Sequence, residues 1–314
     1  MIKKLVKGAF NRLASNLQTS IQRNYELMLS QESEIEIVKM LLGKSLSSQV
    51  KQMKSINSLH DVEFKVFSQF GDDGIIQYLI NKIDIPDKTF VEFGVEDYYE
   101  ANTRFLLMND NWRGLIMDGS AENLQKIKQK NYQWKYDVLP LKAFIDMDNI
   151  NELIASANFG KDLGILSIDI DGNDYWIWKA IHVVNPVIVI VEYNSVLGFE
   201  NPWTVPYDPK FYRGDAYFNN LYYGSSLLSL CDLAEEKGYY FIGCNSAGNN
   251  SYFVRKDKIG DIKTYQAREG YVLSNFAESK NKEGKLSYLR GEARLASLKG
   301  LTIYNTRLGK TESI

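Results

Sequence analysis

From Asp72 onward, short apolar and β-branched runs alternate with stretches of helical spacing, the pattern of a parallel sheet crossed by helices. The runs TFVEF (89–93), GLIMD (114–118), VLPLKAFI (138–145), ILSIDI (165–170), VIVIVEY (187–193), YYFIG (239–243) and SYFVR (251–255) predict seven strands. Helical periodicity fits 73–83, 102–108, 121–130, 150–157, 175–184 and 226–237. The expected fold class is therefore α/β, a Rossmann-like sheet with helices on both faces. The last two strands flank Cys244–Asn250, rich in Asn, Ser and Gly, and should pair antiparallel as a terminal hairpin.

Residues 1–60 read differently. They hold no proline, and Phe10, Leu13, Leu17, Ile21 and Met28 recur three, four or seven apart, which puts one apolar stripe on a helix. A second helical stretch, Glu32 to Leu42, ends at the Ser and Gly of GKSLSSQ. Two readings stand side by side: helices packed on the protein's own catalytic domain, or an arm that makes a homodimer. The lysines near the terminus also suit an anionic membrane surface. Residues 198–224, with Pro202, Pro206 and Pro209, predict a long loop of the kind that covers a substrate. The expected organisation is an N-terminal helical extension (1–60), a catalytic domain (61–255) and a partly helical C-terminal extension (256–314), with one helix near 286–298.

The formal charge of −2 argues against a nucleic-acid partner, which needs a clustered excess of Lys and Arg. Two cysteines, Cys231 and Cys244, cannot make a disulfide framework or a cysteine-rich zinc motif, so a reducing, cytoplasmic compartment is expected. The start MIKKLVKGAF is basic, but Asn11, Arg12, Ser15 and Asn16 interrupt any signal-peptide core, and no run suggests a membrane span.

The first strand ends in FVEFGVEDYYEANT. A glycine there, Gly94, lets the backbone come close to a ligand. The second strand ends in Asp118, where a carboxylate can accept hydrogen bonds from both hydroxyls of a ribose. Together Gly94 and Asp118 describe an adenosine site. No G-x-G-x-x-G follows any strand, which argues against a nicotinamide cofactor.

With SQFGDDGIIQYLI before the first strand, the runs VEFGVEDYYEANTRFLL, WRGLIMDGS, LSIDIDGNDYWIW, VIVIVEYNS and YYGSSLLSL resemble the FkbM-like group of S-adenosylmethionine-dependent methyltransferases, over about 67–255. That resemblance implies a seven-stranded methyltransferase sheet and O-methylation of a sugar or nucleotide-linked sugar for capsule or surface polysaccharide. It implies a cofactor pocket of Gln69, Glu92, Phe93, Gly94, Asn102, Thr103, Asp118, Gly119, Ser120 and Asp169. One departure stands out: Asp97, Tyr98 and Tyr99 occupy the loop where another glycine is common. Other readings are a phosphoramidate or other small-molecule methyltransferase, and a non-catalytic partner that binds the cofactor within an assembly.

The fourth strand ends in Asp169, Asp171 and Asp174, and the fifth in Glu192, so these acids meet at the carboxyl edge of a parallel sheet. Asp169, Asp171 and Glu192 are the expected catalytic residues. Held together they raise one another's pKa, which a hard divalent cation such as Mg, Mn or Fe relieves. The plainer alternative is that Asp174 caps the next helix and Asp169 only touches the cofactor. A cation on the acceptor hydroxyl would lower its pKa, and Asp171 or a neighbour would take the proton. His182 lies too far along its helix to serve as base, and His60 falls in the linker. Expected substrate contacts are Tyr175, Tyr193, Asn194, Ser195, Tyr207, Lys210 and Arg213, with Lys210 or Arg213 holding a nucleotide diphosphate.

Overall fold

The strands β1 (Thr89–Phe93), β2 (Arg113–Asp118), β3 (Val138–Lys142), β4 (Ile165–Ile168), β5 (Ile188–Glu192), β7 (Tyr239–Cys244) and β8 (Asn250–Arg255) form one sheet in the order β3-β2-β1-β4-β5-β8-β7. The two-residue β6 (Trp203–Thr204) stands outside it. The first five strands run parallel, while β8 is antiparallel to both β5 and β7. All seven sequence-predicted strands form, each within a few residues of its expected bounds. The expected hairpin is present, and its second strand inserts between β5 and β7. This computed structural model describes residues 2–314, with side chains from Ser15 onward.

Every residue of β1, β4 and β5 is buried, as expected for strands covered on both faces. Alternate residues define the two faces. Val91, Phe93, Leu115, Met117, Leu166, Ile168, Val189 and Val191 pack in one core with residues of α5 (Ile150–Ala155), α6 (Asp174–Ala180) and α8 (Leu227–Lys237). The helices α2 (Asp72–Lys82), α3 (Arg104–Asp110) and α4 (Ala121–Gln129) complete the two-faced arrangement. Between β1 and β2 the register Glu92↔Ile116 and Phe93↔Met117 brings both carboxyl ends to one edge, beside that of β4.

Three expectations change. The chain makes one continuous helix, α1 (Ile2–Gln52), where two were expected. A single glycine, Gly43, costs a helix only about 1 kcal/mol and does not end it. Side chains of Phe10, Leu13 and the basic residues of the first twelve lie outside the described ones, so the stripe is followed from Leu17. Helix α6 stops at Ala180, because Val183 and Val184 are β-branched and Pro186 lacks an amide donor. His182 therefore sits beyond the helix, exposed. The C-terminal segment adds β9 (Thr302–Asn305) and β10 (Lys310–Ser313), which join β6 in a second sheet, and its helix α10 spans only Glu292–Ala296. Val196, Leu197, Val205, Leu221, Leu298 and Ile303 form the core beneath it. The loop of 198–224 also carries the short α7 (Arg213–Ala216), and α9 (Ala267–Gly270) follows β8.

The chain divides into two units, Met1–Leu46 and Ser47–Ile314. The C-terminal extension belongs to the same unit as the main sheet. No helix among the described residues is long and apolar enough to cross a membrane.

Candidate functional site

A cavity of about 750 Å³ opens at the carboxyl edge, over the ends of β1, β2, β3, β4 and β5. Its position follows from the parallel strand order, which leaves a crevice where loops from adjacent strands diverge. Among the sequence-predicted residues, Gln69, Glu92, Phe93, Gly94, Asn102, Asp118, Gly119, Ser120, Asp169, Asp171, Glu192 and Arg213 line it.

At the end of β1, Gly94 has φ +69. A Cβ there would lie 1.7 Å from the Asp169 carbonyl oxygen. The glycine thus serves the contact between two strand ends, where the sequence suggested direct room for a ligand. Glu92 is buried just before it. Its Oε1 accepts from Asn102 N at 2.8 Å, and its Oε2 accepts from Thr103 N at 3.0 Å and from the Thr103 hydroxyl. Those bonds tie the loop after β1 to the start of α3, and burial raises the Glu92 carboxyl to about 7. Thr103 is spent on Glu92 and on Tyr98, 3.0 Å away, and does not line the cavity.

Asp118 ends β2. Its Oδ2 accepts from Glu96 N at 2.9 Å, and its Oδ1 accepts from Ser120 N at 2.7 Å and from Asn123 Nδ2 at 3.1 Å. A carboxylate offers about four acceptor positions. Three are used, so Asp118 keeps room for one ligand hydroxyl, not both. The bond from Glu96 also explains the loop without a second glycine: Glu96 and Tyr98 take positive φ, 48 and 60, while Tyr98 is buried and held by Thr103. Next to this edge Phe144, after β3, is 60% exposed and lines the cavity with Ala143 and Ile145. An exposed phenylalanine ring at a cavity wall offers a stacking surface for a flat ring.

On the other side, one carboxylate oxygen from each of Asp169, Asp171 and Glu192 lies within 4.8 Å of the others. The turn after β4 brings them there. Asp174 accepts from Ile170 N and from Gly172 N, both at 2.9 Å, and holds Asp171 at φ 56. So Asp174 organises the loop that presents Asp171 and does not cap the helix as the plainer alternative had it, since α6 starts at Asp174 itself and its cap position, Asn173, makes no side-chain cap bond. Burial, then the charge of Asp171, pushes Asp169 well above the usual carboxylate range; burial and the charge of Asp169 do the same for Glu192. The buried Glu192 Oε2 has no hydrogen-bond partner, and neither has Asn173 Oδ1, which belongs to another lining residue. An unpartnered acceptor this deep costs on the order of 1–3 kcal/mol.

The one guanidinium in the lining is Arg213. Its Nη1 donates to Asp171 Oδ1 at 2.8 Å, its Nε donates to Asn220 O at 3.2 Å, and its Cζ lies 3.6 Å from the Tyr223 ring centre. Seven acidic residues, Glu92, Glu96, Glu100, Asp118, Asp169, Asp171 and Glu192, share the lining with that single cation, and only Asp171 pairs with it. Asp169 and Glu192 are raised by burial and then by repulsion, and a cation entering here would relieve that repulsion.

The structure does not bring the other expected substrate residues to the cavity. The Tyr193 hydroxyl donates to Val272 O at 2.5 Å. Asn194 Nδ2 donates to Leu221 O and Tyr223 O, both at 2.9 Å, and Ser195 Oγ donates to Ser274 Oγ at 2.7 Å. These three follow β5 at a turn that heads into the core. Tyr175 packs edge-on against Trp176 inside the core, and the Tyr207 hydroxyl accepts from Met147 N at 3.0 Å. Lys210 is exposed outside the cavity, which leaves Arg213, in the lining, as the one of the two expected diphosphate contacts that the cavity holds. Lining residues that the sequence did not single out include Glu96, Phe144, Asn173, Phe211 and Asn250. Phe144 and Asn173 follow strands β3 and β4 on the edge where ligands were expected, and that position was the available signal.

No family model matches the chain, and no curated protein matches it. Solved structures similar to it include the N-terminal domain of EvdMO1 with SAH bound, at 11% identity over 67% of this chain and 94% of that one, TM-score 0.38. An O-methyltransferase from Bacillus cereus in complex with SAH aligns at 11% identity over 69% of this chain and 91% of its own, TM-score 0.40. A S-adenosylmethionine-dependent methyltransferase from Clostridium acetobutylicum aligns at 10% identity over 59% of this chain and 90% of its own, TM-score 0.36.

Proposed function

We propose that the chain is a S-adenosylmethionine-dependent O-methyltransferase of the FkbM-like group, acting on a hydroxyl of a sugar or nucleotide-linked sugar for capsule or surface polysaccharide, with a divalent cation at its acidic cluster. The observation that carries this reading is a junction within one cavity: the nucleoside cradle of Gly94, Asp118 and Phe144 opens onto Asp169, Asp171 and Glu192.

The residues suit the cofactor. Asp118 keeps one acceptor position for a ribose hydroxyl, Phe144 offers a face for a base, and the carboxylate-rich lining favours a ligand carrying ammonium and sulfonium charges. When bound, S-adenosylmethionine supplies a methyl group already activated by the positive sulfur. The residues also suit a cation, because all three donors are hard carboxylate oxygens and Glu192 Oε2 is buried without a donor. A divalent ion held by Asp169, Asp171 and Glu192 would lower the pKa of the acceptor hydroxyl.

What the chain's own groups then do is orient and deprotonate. The turn held by Asp174 fixes Asp171 relative to Glu192, so the acceptor oxygen is confined to one approach. The proton it loses passes to Asp171 or a neighbouring carboxylate of this cluster. Arg213 neutralises part of the charge through Asp171 and leaves an uncharged hydroxyl as the best acceptor at the reacting centre.

Calorimetric titration with S-adenosylhomocysteine and, in parallel, with NAD tests the cofactor half of this reading. Binding of S-adenosylhomocysteine with no heat from NAD is expected. Binding of NAD alone contradicts it.

A further inference from the structure

In the unit Met1–Leu46 the described side chains of α1 carry apolar residues that stand in water: Leu17 is 62% exposed, Ile21 60%, Met28 67%, Ile35 58%, Val38 54% and Leu42 60%. These six follow one repeat, while Tyr25, Leu27, Leu29, Ile37 and Leu41 are exposed beside it. Written as a heptad, Ile21, Met28, Ile35 and Leu42 fall every seven residues at the first core position, and Leu17 and Val38 fall at the second with Asn24 and Gln31 between them. A seven-residue repeat keeps one seam facing a partner along a supercoiled pair. At 1.5 Å per residue the 51-residue helix is about 76 Å long, and most of the stability of a helix in a protein comes from packing its apolar face.

We propose that this segment forms a parallel two-stranded coiled coil with a second copy of the chain. Three features of the sequence select that occupant and that direction. The first core position carries Ile21 and Ile35, and β-branched residues there favour two strands. In a parallel pair each amide meets its own copy, Asn24 against Asn24 and Gln31 against Gln31, so both polar layers can hydrogen-bond. In an antiparallel pair the two core positions face each other, which sets both amides against Ile or Met and leaves them unsatisfied. The flanking positions agree. Parallel pairing brings residue 34 of one copy beside residue 39 of the other, Glu34 against Lys39, twice by symmetry. It also sets Leu41 against Leu46, which extends the apolar seam. This inference is independent of the methyltransferase reading, since none of these residues lines the cavity.

Sedimentation equilibrium of the full chain at micromolar concentration is the test. The expected mass is twice that of the monomer, falling to the monomer mass in Ile35→Glu/Val38→Glu, whose substituted side chains are exposed and leave the main core untouched. Asn24→Cys should cross-link to a covalent dimer on mild oxidation while the parent chain, oxidised alongside, does not. Glu34→Lys should weaken the dimer by about tenfold, and Glu34→Lys/Lys39→Glu should restore it. A monomeric parent chain overturns the proposal, whether or not it sediments with anionic lipid vesicles. So does a dimer that survives Ile35→Glu/Val38→Glu, or one in which Asn24→Cys fails to cross-link.

Discussion

Gly94 and Asp169 lie so close that the glycine's missing side chain would strike the aspartate's carbonyl oxygen, 1.7 Å from an ideal Cβ. The contact joins two parts of the cavity, since Gly94 follows β1, next to the end of β2, and Asp169 begins the acidic cluster. Gly94→Ala should therefore lower the melting temperature and weaken S-adenosylhomocysteine binding together. Positive φ alone costs a non-glycine residue about 1–2 kcal/mol, and the clash adds to it. Thermal unfolding and calorimetry check the pair; an unchanged melting temperature with normal binding contradicts the contact.

Asp118→Ala removes the acceptor of three internal hydrogen bonds and the acceptor position proposed for a ribose hydroxyl. S-adenosylhomocysteine affinity should fall by about 1–3 kcal/mol. Affinity equal to the parent's means that Asp118 is not on the ribose.

Glu92 gives stability a pH dependence. Its carboxyl is raised from 4.5 to about 7 by burial, so its contribution is fully present below the unfolded value and is lost as pH rises through about 7. Urea titrations of the parent at pH 5 and pH 8 should show the loss, and Glu92→Gln should flatten the difference at a cost on the order of 1–3 kcal/mol near pH 5. An equal pH dependence in both proteins removes Glu92 as its source.

The sheet was legible because its strands are buried on both faces and read as continuous apolar runs, such as ILSI and IVIVE. Strand tips carried the site signal as well, and the acidic residues that sequence reasoning brought to one edge converge there. What escaped was decided by distant contacts. Strand β6 is two residues long and pairs Thr204 with Tyr304, a hundred positions away, so no local pattern announces it. Tyr193, Asn194 and Ser195 follow Glu192 directly, yet the backbone turns inward where Tyr193 N donates to Asn249 O and Asn194 N donates to Ser225 O, both at 2.8 Å. Tip residues on the same strand thus divide between cavity and core. Phe144 is an apolar residue left in the open, and only the cavity beside it gives the exposure meaning.

The acidic cluster should separate chemistry from cofactor binding. Chelation with excess EDTA is expected to abolish turnover and leave S-adenosylhomocysteine affinity largely intact, with Mg²⁺, Mn²⁺ or Fe²⁺ restoring activity according to geometry. Full turnover in EDTA contradicts the cation and leaves Asp171 or Glu192 as a direct base.

The most direct measurement is transfer of labelled methyl from S-adenosylmethionine to a panel of sugars and nucleotide-sugars, run side by side for the parent chain and Glu192→Gln. That substitution keeps the shape of the residue and removes the charge of the buried oxygen that has no partner. Label on an acceptor hydroxyl is expected with the parent, and a loss of most transfer in Glu192→Gln with S-adenosylhomocysteine binding preserved. Equal transfer by both proteins, or no transfer by the parent to any acceptor of the panel, contradicts that expectation.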